Sequence, residues 1–458
     1  MLELLERQER LTVNQWKLVS AAILGGALGL LALYSASFAL GLASASRHLT
    51  HGESALIHQS TGAGTVIGAI FWGWMADRIG RRKAFIATVL NVSLASGIMT
   101  LTPDEGGAIF LTVFFLFAGL GSAGLFVTLL PLVQEFVPAS KRGRIGGLVI
   151  AVISLGMLAF LAEARLAVRI DWHTLFVLGL LPALVTLLIR AWVPESPRWL
   201  IRNRRLEDAR RSLAWALRMD PNEIDLPAAL PKMPRTPWPE LFKYRRSVVI
   251  ACVISLAQIE GAGVVALGTG VFVSFLKISW ATAGYLTLGV AMAGLAGQFV
   301  MSYLSDAIGR RNSGMLCGFG AAVSLGLAGC FDEAFFVTVS VFWLLVMVTS
   351  FFAIGSTAIG RPYTAEVWPA GLRASGMGLA YAFGLLGGLL APLAIELIIG
   401  VPSFLTPQAI PHSVWPATLF LAAFYALSGL VFWLLAIETR GRTIEEIDAT
   451  LAIAASRP

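Results

Sequence analysis

Gly73-Trp74-Met75-Ala76-Asp77-Arg78-Ile79-Gly80-Arg81-Arg82-Lys83 returns later in the chain as Ser302-Tyr303-Leu304-Ser305-Asp306-Ala307-Ile308-Gly309-Arg310-Arg311-Asn312. The two aspartates lie 229 residues apart, half of the 458-residue chain. A second pair of motifs has almost the same offset. Glu135-Phe136-Val137-Pro138, with Arg142 and Gly143, is answered 231 residues on by Glu366-Val367-Trp368-Pro369, with Arg373 and Ala374. Two separate motifs repeating at one spacing identify an internal duplication, so the function is to be sought between two similar halves.

What fills the space between these motifs is apolar. The chain is 57% hydrophobic and only 13% charged, with a mean hydropathy of +0.77, whereas an ordinary soluble domain is about 25% charged. An integral membrane protein is expected. A run of roughly 20 apolar residues spans a hydrocarbon core of about 30 Å, and the sequence offers twelve: 19–42, 57–75, 84–101, 109–132, 145–166 and 174–193, then 248–273, 282–304, 313–331, 335–361, 374–399 and 416–437. The 46 glycines and the internal prolines suit closely packed, bent helices; a barrel would show short alternating segments. The predicted fold is an all-α membrane protein of twelve transmembrane helices in two pseudo-symmetric six-helix bundles.

Charge sets the orientation. With both termini cytoplasmic, 28 of the 34 Lys and Arg fall in inner loops and tails, and four (Arg47, Arg165, Arg169, Lys277) at the outer side. Arg190 and Arg361 lie inside or near inner helix ends. This asymmetry follows the positive-inside pattern, and it accounts for the pI near 9.6 without a nucleic-acid partner. The first apolar run is too long for a signal peptide and lacks a small-residue cleavage site, so it is expected to remain a membrane helix. Cys252, Cys317 and Cys330 are scattered through spans and read as packing residues. His48, His51, His58, His173 and His412 map to outer loops or helix ends and read as solvated, with a metal or pH role for His48 and His51 as the alternative. No cofactor or metal site is expected.

The domain plan is a bundle over 1–193, a cytoplasmic linker over 194–247, a second bundle over 248–437 and a tail over 438–458. The linker opens with Arg-rich sequence whose apolar residues recur at helical spacing around 204–217. That pattern predicts one or two short amphipathic helices on the inner membrane surface. Pro227, Pro231, Pro234, Pro237 and Pro239 then suggest an extended tether.

In the repeated loop, Asp77 stands at the inner end of span two before a glycine-permitted turn and a basic cluster. There it can accept hydrogen bonds from a neighbouring helix N-terminus and pair with arginines. This loop resembles the signature between helices two and three of the major facilitator superfamily. Pro194-Glu195-Ser196-Pro197-Arg198-Trp199-Leu200 and Glu438-Thr439-Arg440-Gly441-Arg442-Thr443, with the Glu135 and Glu366 blocks, are similar to the sugar-porter and metabolite:proton symporter branches, which include aromatic-acid, nicotinate and organic-ion carriers. The resemblance implies that Asp77, Arg81, Glu135, Arg142, Glu195 and Arg198, together with Asp306, Arg310, Glu366, Arg373 and Glu438, form an inner charged gate network. That network holds the halves together while the cavity faces outward. The alternative is that many of these residues serve topology alone.

Departures from the family pattern bear on the substrate. Proton-coupled relatives usually carry an aspartate in helix one and an arginine in helix four. Here those sites read Leu33-Tyr34-Ser35-Ala36 and Phe115-Leu116-Phe117-Ala118-Gly119, so both charges are missing. Losing both is electrostatically coherent, because either alone would be costly in the membrane. Sugar porters also carry a tryptophan five residues before the helix-ten glutamate and a Gln-Gln-x-Ser/Thr-Gly-x-Asn run in helix seven. This chain has Arg361 at the first and Ala257-Gln258-Ile259-Glu260-Gly261 at the second. An arginine there favours a carboxylate or other anion, which a guanidinium clamps with two bonds; alternatively Arg361 snorkels to the inner helix end.

Ionisable residues inside spans are functional candidates. Glu260 stands about 12 residues, roughly 18 Å, into span seven, near mid-membrane, where it is expected to carry a proton or contact substrate, or else to serve a buried arginine. Glu163 and Arg165 near the outer end of span five, and Glu396 near that of span eleven, are candidates for an outer gate. Gln258, Gln298, Tyr34 and Tyr363 are expected to line the cavity. The leading expectation is a secondary transporter of a small organic anion working by alternating access, with proton coupling through Glu260. The alternatives are a facilitative uniporter of a neutral sugar or polyol, a drug or metabolite exporter and, last, a non-transporting sensor. No catalytic constellation argues for an enzyme. A monomer in a bacterial inner membrane is expected, with lipid, a small-molecule substrate and protons as its partners.

Overall fold

The computed structural model describes residues 2–46, 49–167, 172–225, 237–258, 280–331, 334–336, 339–399 and 415–455. In the first half, α1 (Glu3–Glu6) precedes α2 (Val13–Ser46), α3 (His51–Ile79), α4 (Arg81–Met99), α5 (Gly107–Gln134), α6 (Arg142–Ala167), α7 (Trp172–Leu178) and α8 (Leu181–Trp192). Two short helices follow, α9 (Pro197–Arg202) and α10 (Leu206–Leu217). The second half contains α11 (245–258), α12 (Trp280–Ala307), α13 (Arg310–Cys330), α14 (Val341–Gly355), α15 (Thr357–Glu366), α16 (Arg373–Ile399), α17 (Trp415–Leu434) and α18 (Ile444–Ala455).

Among the described residues the apolar runs of the sequence fall on helices, with local corrections in the sixth and tenth runs. The tenth run was expected from 335, but Phe335–Phe336 pair with Val339–Ser340 in a two-residue antiparallel ladder, and α14 starts only at Val341. The Ser340 side chain accepts from Trp343 N and caps that start, which satisfies one of the free N–H groups of the first turn. The tenth run is also split at Ser356, and the sixth at Gly179-Leu180. Seven described segments are long and apolar enough to cross a membrane by length and composition. Neither α3 nor α4 is among them: α3 is rich in Gly, Ser and Thr over 60–73, and α4 begins with three basic residues.

Leu18, Phe85, Leu125, Val149 and Val185 join α2, α4, α5, α6 and α8 in one core. Val290, Leu325, Val346 and Leu421 join α12, α13, α14 and α17 in another. Between them, α3 lies along α16 and α6 along α12 and α15. The α3–α16 crossing is closed by glycine: a Cβ on Gly73 would lie 2.5 Å from the Ala374 carbonyl oxygen, and one on Gly378 2.3 Å from that of Ala69. Without side chains at these two points the backbones touch, which is how membrane helices gain packing when lipid removes the hydrophobic driving force.

The linker helices were expected on the membrane surface. Part of the apolar face of α10 instead packs on protein, as Leu213 and Ala214 meet Leu5 of α1 and Ile224. The start of α2 is tied to the same helix, because the Thr12 hydroxyl donates to the Ala216 carbonyl at 2.5 Å and Asn14 Nδ2 to that of Trp215 at 2.7 Å.

Candidate functional site

At one end of the helices the two copies of the repeated loop build the same device. Gly80 has φ +108 and joins α3 to α4, in a region that L residues avoid. A Cβ there would also lie 2.3 Å from Glu195 Oε2. Space and backbone angle thus both demand glycine. The Glu195 carboxylate accepts from Arg82 N and Ser196 N, each at 3.0 Å, while Arg81 pairs with Asp77 at 2.9 Å and Glu135 at 3.3 Å. The Ser196 hydroxyl donates to Glu135.

Gly309, at φ +95, repeats the turn, and Glu438 accepts from Arg310 N at 3.0 Å and Arg311 N at 3.1 Å. Arg310 pairs with Asp306 at 2.6 Å and Glu366 at 3.5 Å, and the Thr439 hydroxyl donates to Glu366. Each aspartate then reaches across to the other half. Asp77 Oδ2 accepts from the N–H and hydroxyl of Ser375, at 2.8 and 2.7 Å, in the first turn of α16. Asp306 Oδ2 accepts from Arg144 N at 2.8 Å, in the first turn of α6. A carboxylate at a helix N-terminus satisfies free N–H groups and favours the helix dipole, so each half caps a helix of the other.

Further bonds cross the same seam. Arg373 lies 3.7 Å from Glu135, and Arg81 donates to the Ala370 carbonyl at 3.1 Å. The structure thus gathers every member of the expected gate network at one end and links the halves through it.

Three carboxylates in this cluster were missed in the sequence. Glu6 of α1 pairs with Arg198 at 2.8 Å and Arg142 at 3.3 Å; Glu445 of α18 pairs with Arg198 at 3.1 Å; Asp448 accepts from Ala370 N at 3.1 and 3.2 Å. Burial alone would raise the Glu445 carboxyl, but the Arg198 charge and hydrogen bond hold it below its usual range. Burial pushes Asp448 up, against the pull of Arg373. The only sequence signal was the position of these acids in short amphipathic end segments, which does not specify a partner.

Arg361 also stands where the two halves meet. The break at Ser356 starts α15 afresh, and Arg361 follows in its second turn. Its guanidinium lies 4.5 Å from the ring centre of Phe126 on α5 and 5.7 Å from that of Tyr381 on α16, so it stands between the halves, not snorkelled out to a helix end. Among the described residues no carboxylate forms an ion pair with it. Tyr34 of α2 lies within electrostatic reach of both Arg361 and Tyr381. Around the break, Gln258 Nε2 donates to the Ser356 carbonyl at 3.2 Å, Gln298 Nε2 to Thr357 Oγ1 at 2.8 Å and Gln134 Nε2 to the Pro362 carbonyl at 2.9 Å. The Oε1 atoms of Gln298 and Gln134 are buried without a hydrogen-bond partner among the described residues.

Tyr363 corrects the sequence reading. It is fully buried, packs on Phe432, and its hydroxyl exchanges two 2.9 Å bonds with the backbone of Ile437, so it ties α15 to the end of the second half instead of lining a cavity. Glu260 lies outside the described residues. Glu163 and Arg165 fall on α6 and Glu396 on α16, with side chains outside the described set.

Residues 5–451 match the model of the family described as sugar (and other) transporter. The chain belongs to that family, within the major facilitator superfamily. It is a multi-pass membrane transporter. Over 425 residues the transporter is 29% identical to the niacin transporter NiaP of Acinetobacter baylyi, covering 87% of this chain and 88% of that one. It is 25% identical to the cis,cis-muconate transport protein of the same organism, covering 85% and 89%. Its fold matches that of the proton:xylose symporter XylE bound to 6-bromo-6-deoxy-D-glucose, with a TM-score of 0.77 at 19% identity over 95% of this chain and 99% of that one.

Proposed function

We propose that this transporter carries a small organic carboxylate across a bacterial inner membrane by alternating access, with Arg361 as the group that holds the anion. The observation that carries the reading is the placement of Arg361: a cation between the two halves, faced by aromatic rings, with no carboxylate paired to it among the described residues. A guanidinium in a low-dielectric site gains most by accepting a planar carboxylate as a bidentate partner. Phe126 and Tyr381 offer flat faces to the rest of a conjugated substrate. Niacin and cis,cis-muconate, for which two relatives are named, are carboxylates of this kind.

In this reading twelve helices form two six-helix bundles, 1–193 and 248–437, joined by 194–247, with both termini cytoplasmic and the protein a monomer. The charged end is the cytoplasmic gate, closed in the form described above. Opening it inward means breaking both loop copies while the outer side closes over the anion. Glu260 is proposed as the proton carrier, in place of the helix-one and helix-four pair that this chain lacks.

Thermal unfolding of the purified transporter tests the anion reading, because a ligand bound only by the folded state raises its stability. Niacin and cis,cis-muconate should raise the midpoint and myo-inositol should not, and Arg361→Gln should remove the shift. Stabilisation by myo-inositol alone sinks the proposal. In proteoliposomes, accumulation driven by an imposed pH gradient and lost in Glu260→Gln supports coupling; equilibration indifferent to the gradient contradicts it.

A further inference from the structure

The short helix that carries Arg361 is held by both halves of the molecule. Three bonds tie α15 to its own half: Gln258 Nε2 donates to the Ser356 carbonyl at 3.2 Å, Gln298 Nε2 to Thr357 Oγ1 at 2.8 Å, and the Tyr363 hydroxyl to the Ile437 carbonyl at 2.9 Å. A Cβ on Gly360 would collide with Gln258 Nε2, so glycine there lets that glutamine lie against the helix.

The second turn of α15 is gripped by the other half. Pro362 has no N–H, which leaves the Ala358 carbonyl without its helical donor. Gly147 of α6 packs at that point, where a Cβ would lie 2.8 Å from the Ala358 oxygen. Gln134 of α5, 1% exposed, donates through Nε2 to the Pro362 carbonyl at 2.9 Å. Eight residues earlier on the same helix, Phe126 lies against the Arg361 guanidinium at 4.5 Å, a spacing that puts both side chains on one face of α5. So α5 holds two adjacent residues of α15, Arg361 by its guanidinium and Pro362 by its carbonyl. The next residue along α5 is Glu135, which pairs with Arg81 and Arg373 of the charged network.

These contacts divide by what survives a separation of the halves. The bonds of Gln258, Gln298 and Tyr363 lie within the second half and move with it. The Gln134 bond and the Phe126 contact run between the halves and are lost. Arg361 then loses the ring that directs its guanidinium and the bond that fixes the neighbouring carbonyl.

We propose that Gln134 is a positioning residue that couples the anion affinity of Arg361 to closure of the charged end. The anion is held tightly while the Gln134–Pro362 bond is made and is let go when the bond breaks. This rests on the reading of Arg361 as the anion-holding group and of the charged end as the inner gate. It adds a direction to that reading, because a site that is tight from outside and weak toward the inside favours uptake. The coupling is reciprocal, so a bound anion in turn favours the form in which the bond is made.

The test compares the half-saturation concentration for labelled niacin in right-side-out and inside-out membrane vesicles containing the full-length transporter. Gln134→Leu keeps the bulk and deletes the donor. It should raise half-saturation about fivefold at the outer face, in line with the loss of one neutral hydrogen bond. At the inner face it should cause no rise, because the inward-open form has already lost the bond and becomes the more populated one. Gln134→Met, a second way to remove the donor, should do the same. Gln298→Leu, which removes a bond inside the second half, should act at both faces alike. A rise at both faces in the Gln134 variants, no change at either face, or a one-sided effect of Gln298→Leu overturns the proposal. The anion reading fails by a different result, niacin uptake that survives Arg361→Gln, so the two failures are told apart.

Discussion

The two copies of the repeated loop share their glycine, arginine and glutamate geometry, yet they differ in how deeply they are set. Asp77 is 8% exposed, pairs with Arg81 and accepts two bonds from Ser375, whereas Asp306 is 15% exposed and reaches its partner helix through Arg144 N alone. The N-terminal copy also has Arg198, which draws in Glu6 from α1 and Glu445 from α18. At the corresponding distance beyond Glu438, the second half has Gly441, exposed at φ +67. Duplication thus supplied a symmetric frame, and the chain ends have since made one copy the stronger. In the gating role proposed above, this network should open at the Asp306 side first.

That asymmetry can be broken residue by residue, because Ser375 N and Arg144 N report the two copies separately by amide exchange. The largest effect is expected from Asp77→Asn. Removing one partner of a buried ion pair costs about 3–5 kcal/mol, so exchange over 373–378 should accelerate by at least about a hundredfold. Asp306→Asn also takes a partner from a buried arginine, Arg310 at 2.6 Å, but Asp306 is more exposed and gives up one hydrogen bond across the seam where Asp77 gives up two, so exchange over 142–147 should accelerate less, by about tenfold. If the two substitutions have equal effects, the copies are equivalent and the comparison fails. Glu6→Gln should act on both copies, severalfold, because it takes a partner from Arg198 and from Arg142, the first residue of α6; unchanged exchange over 142–147 would contradict this.

The smallest expected effect is that of pH. Burial raises the Glu195 carboxyl above its usual range, although the N–H groups of Arg82 and Ser196 and the charge of Arg81 oppose the shift. The closed gate therefore binds this proton more tightly than a solvated, opened one does. Its stability gain is complete below the solvated value and is lost as pH rises through the raised value. Exchange at Arg82 N, corrected for its intrinsic pH dependence, should slow on acidification, and Glu195→Gln should flatten the response.

Much of the charged network was legible in the sequence because it is local and repeated. Asp77 and Arg81 are one helical turn apart, Gly80 announces its own turn, and the second copy confirms the reading. Glu6, Glu445 and Asp448 were not legible, since their partners lie far away in sequence and nothing in a short amphipathic segment names them. The identity of Arg361 suggested an anion, but its environment depends on Phe126 and Tyr381, which come from two other helices and look like ordinary packing residues in the sequence. Tyr363 was misread for the same reason. A tyrosine two residues from Arg361 points to another face of α15, and that face is filled by Phe432 and the Ile437 backbone.

Uptake of labelled niacin into proteoliposomes, compared between the unaltered chain, Arg361→Lys and Arg361→Gln, tests the central claim most directly. The account predicts uptake that cis,cis-muconate competes away and myo-inositol does not, reduced in Arg361→Lys and abolished in Arg361→Gln, with amide exchange at Ser375 and Arg144 unchanged in both variants. Uptake that persists in Arg361→Gln, or that myo-inositol blocks, would contradict it.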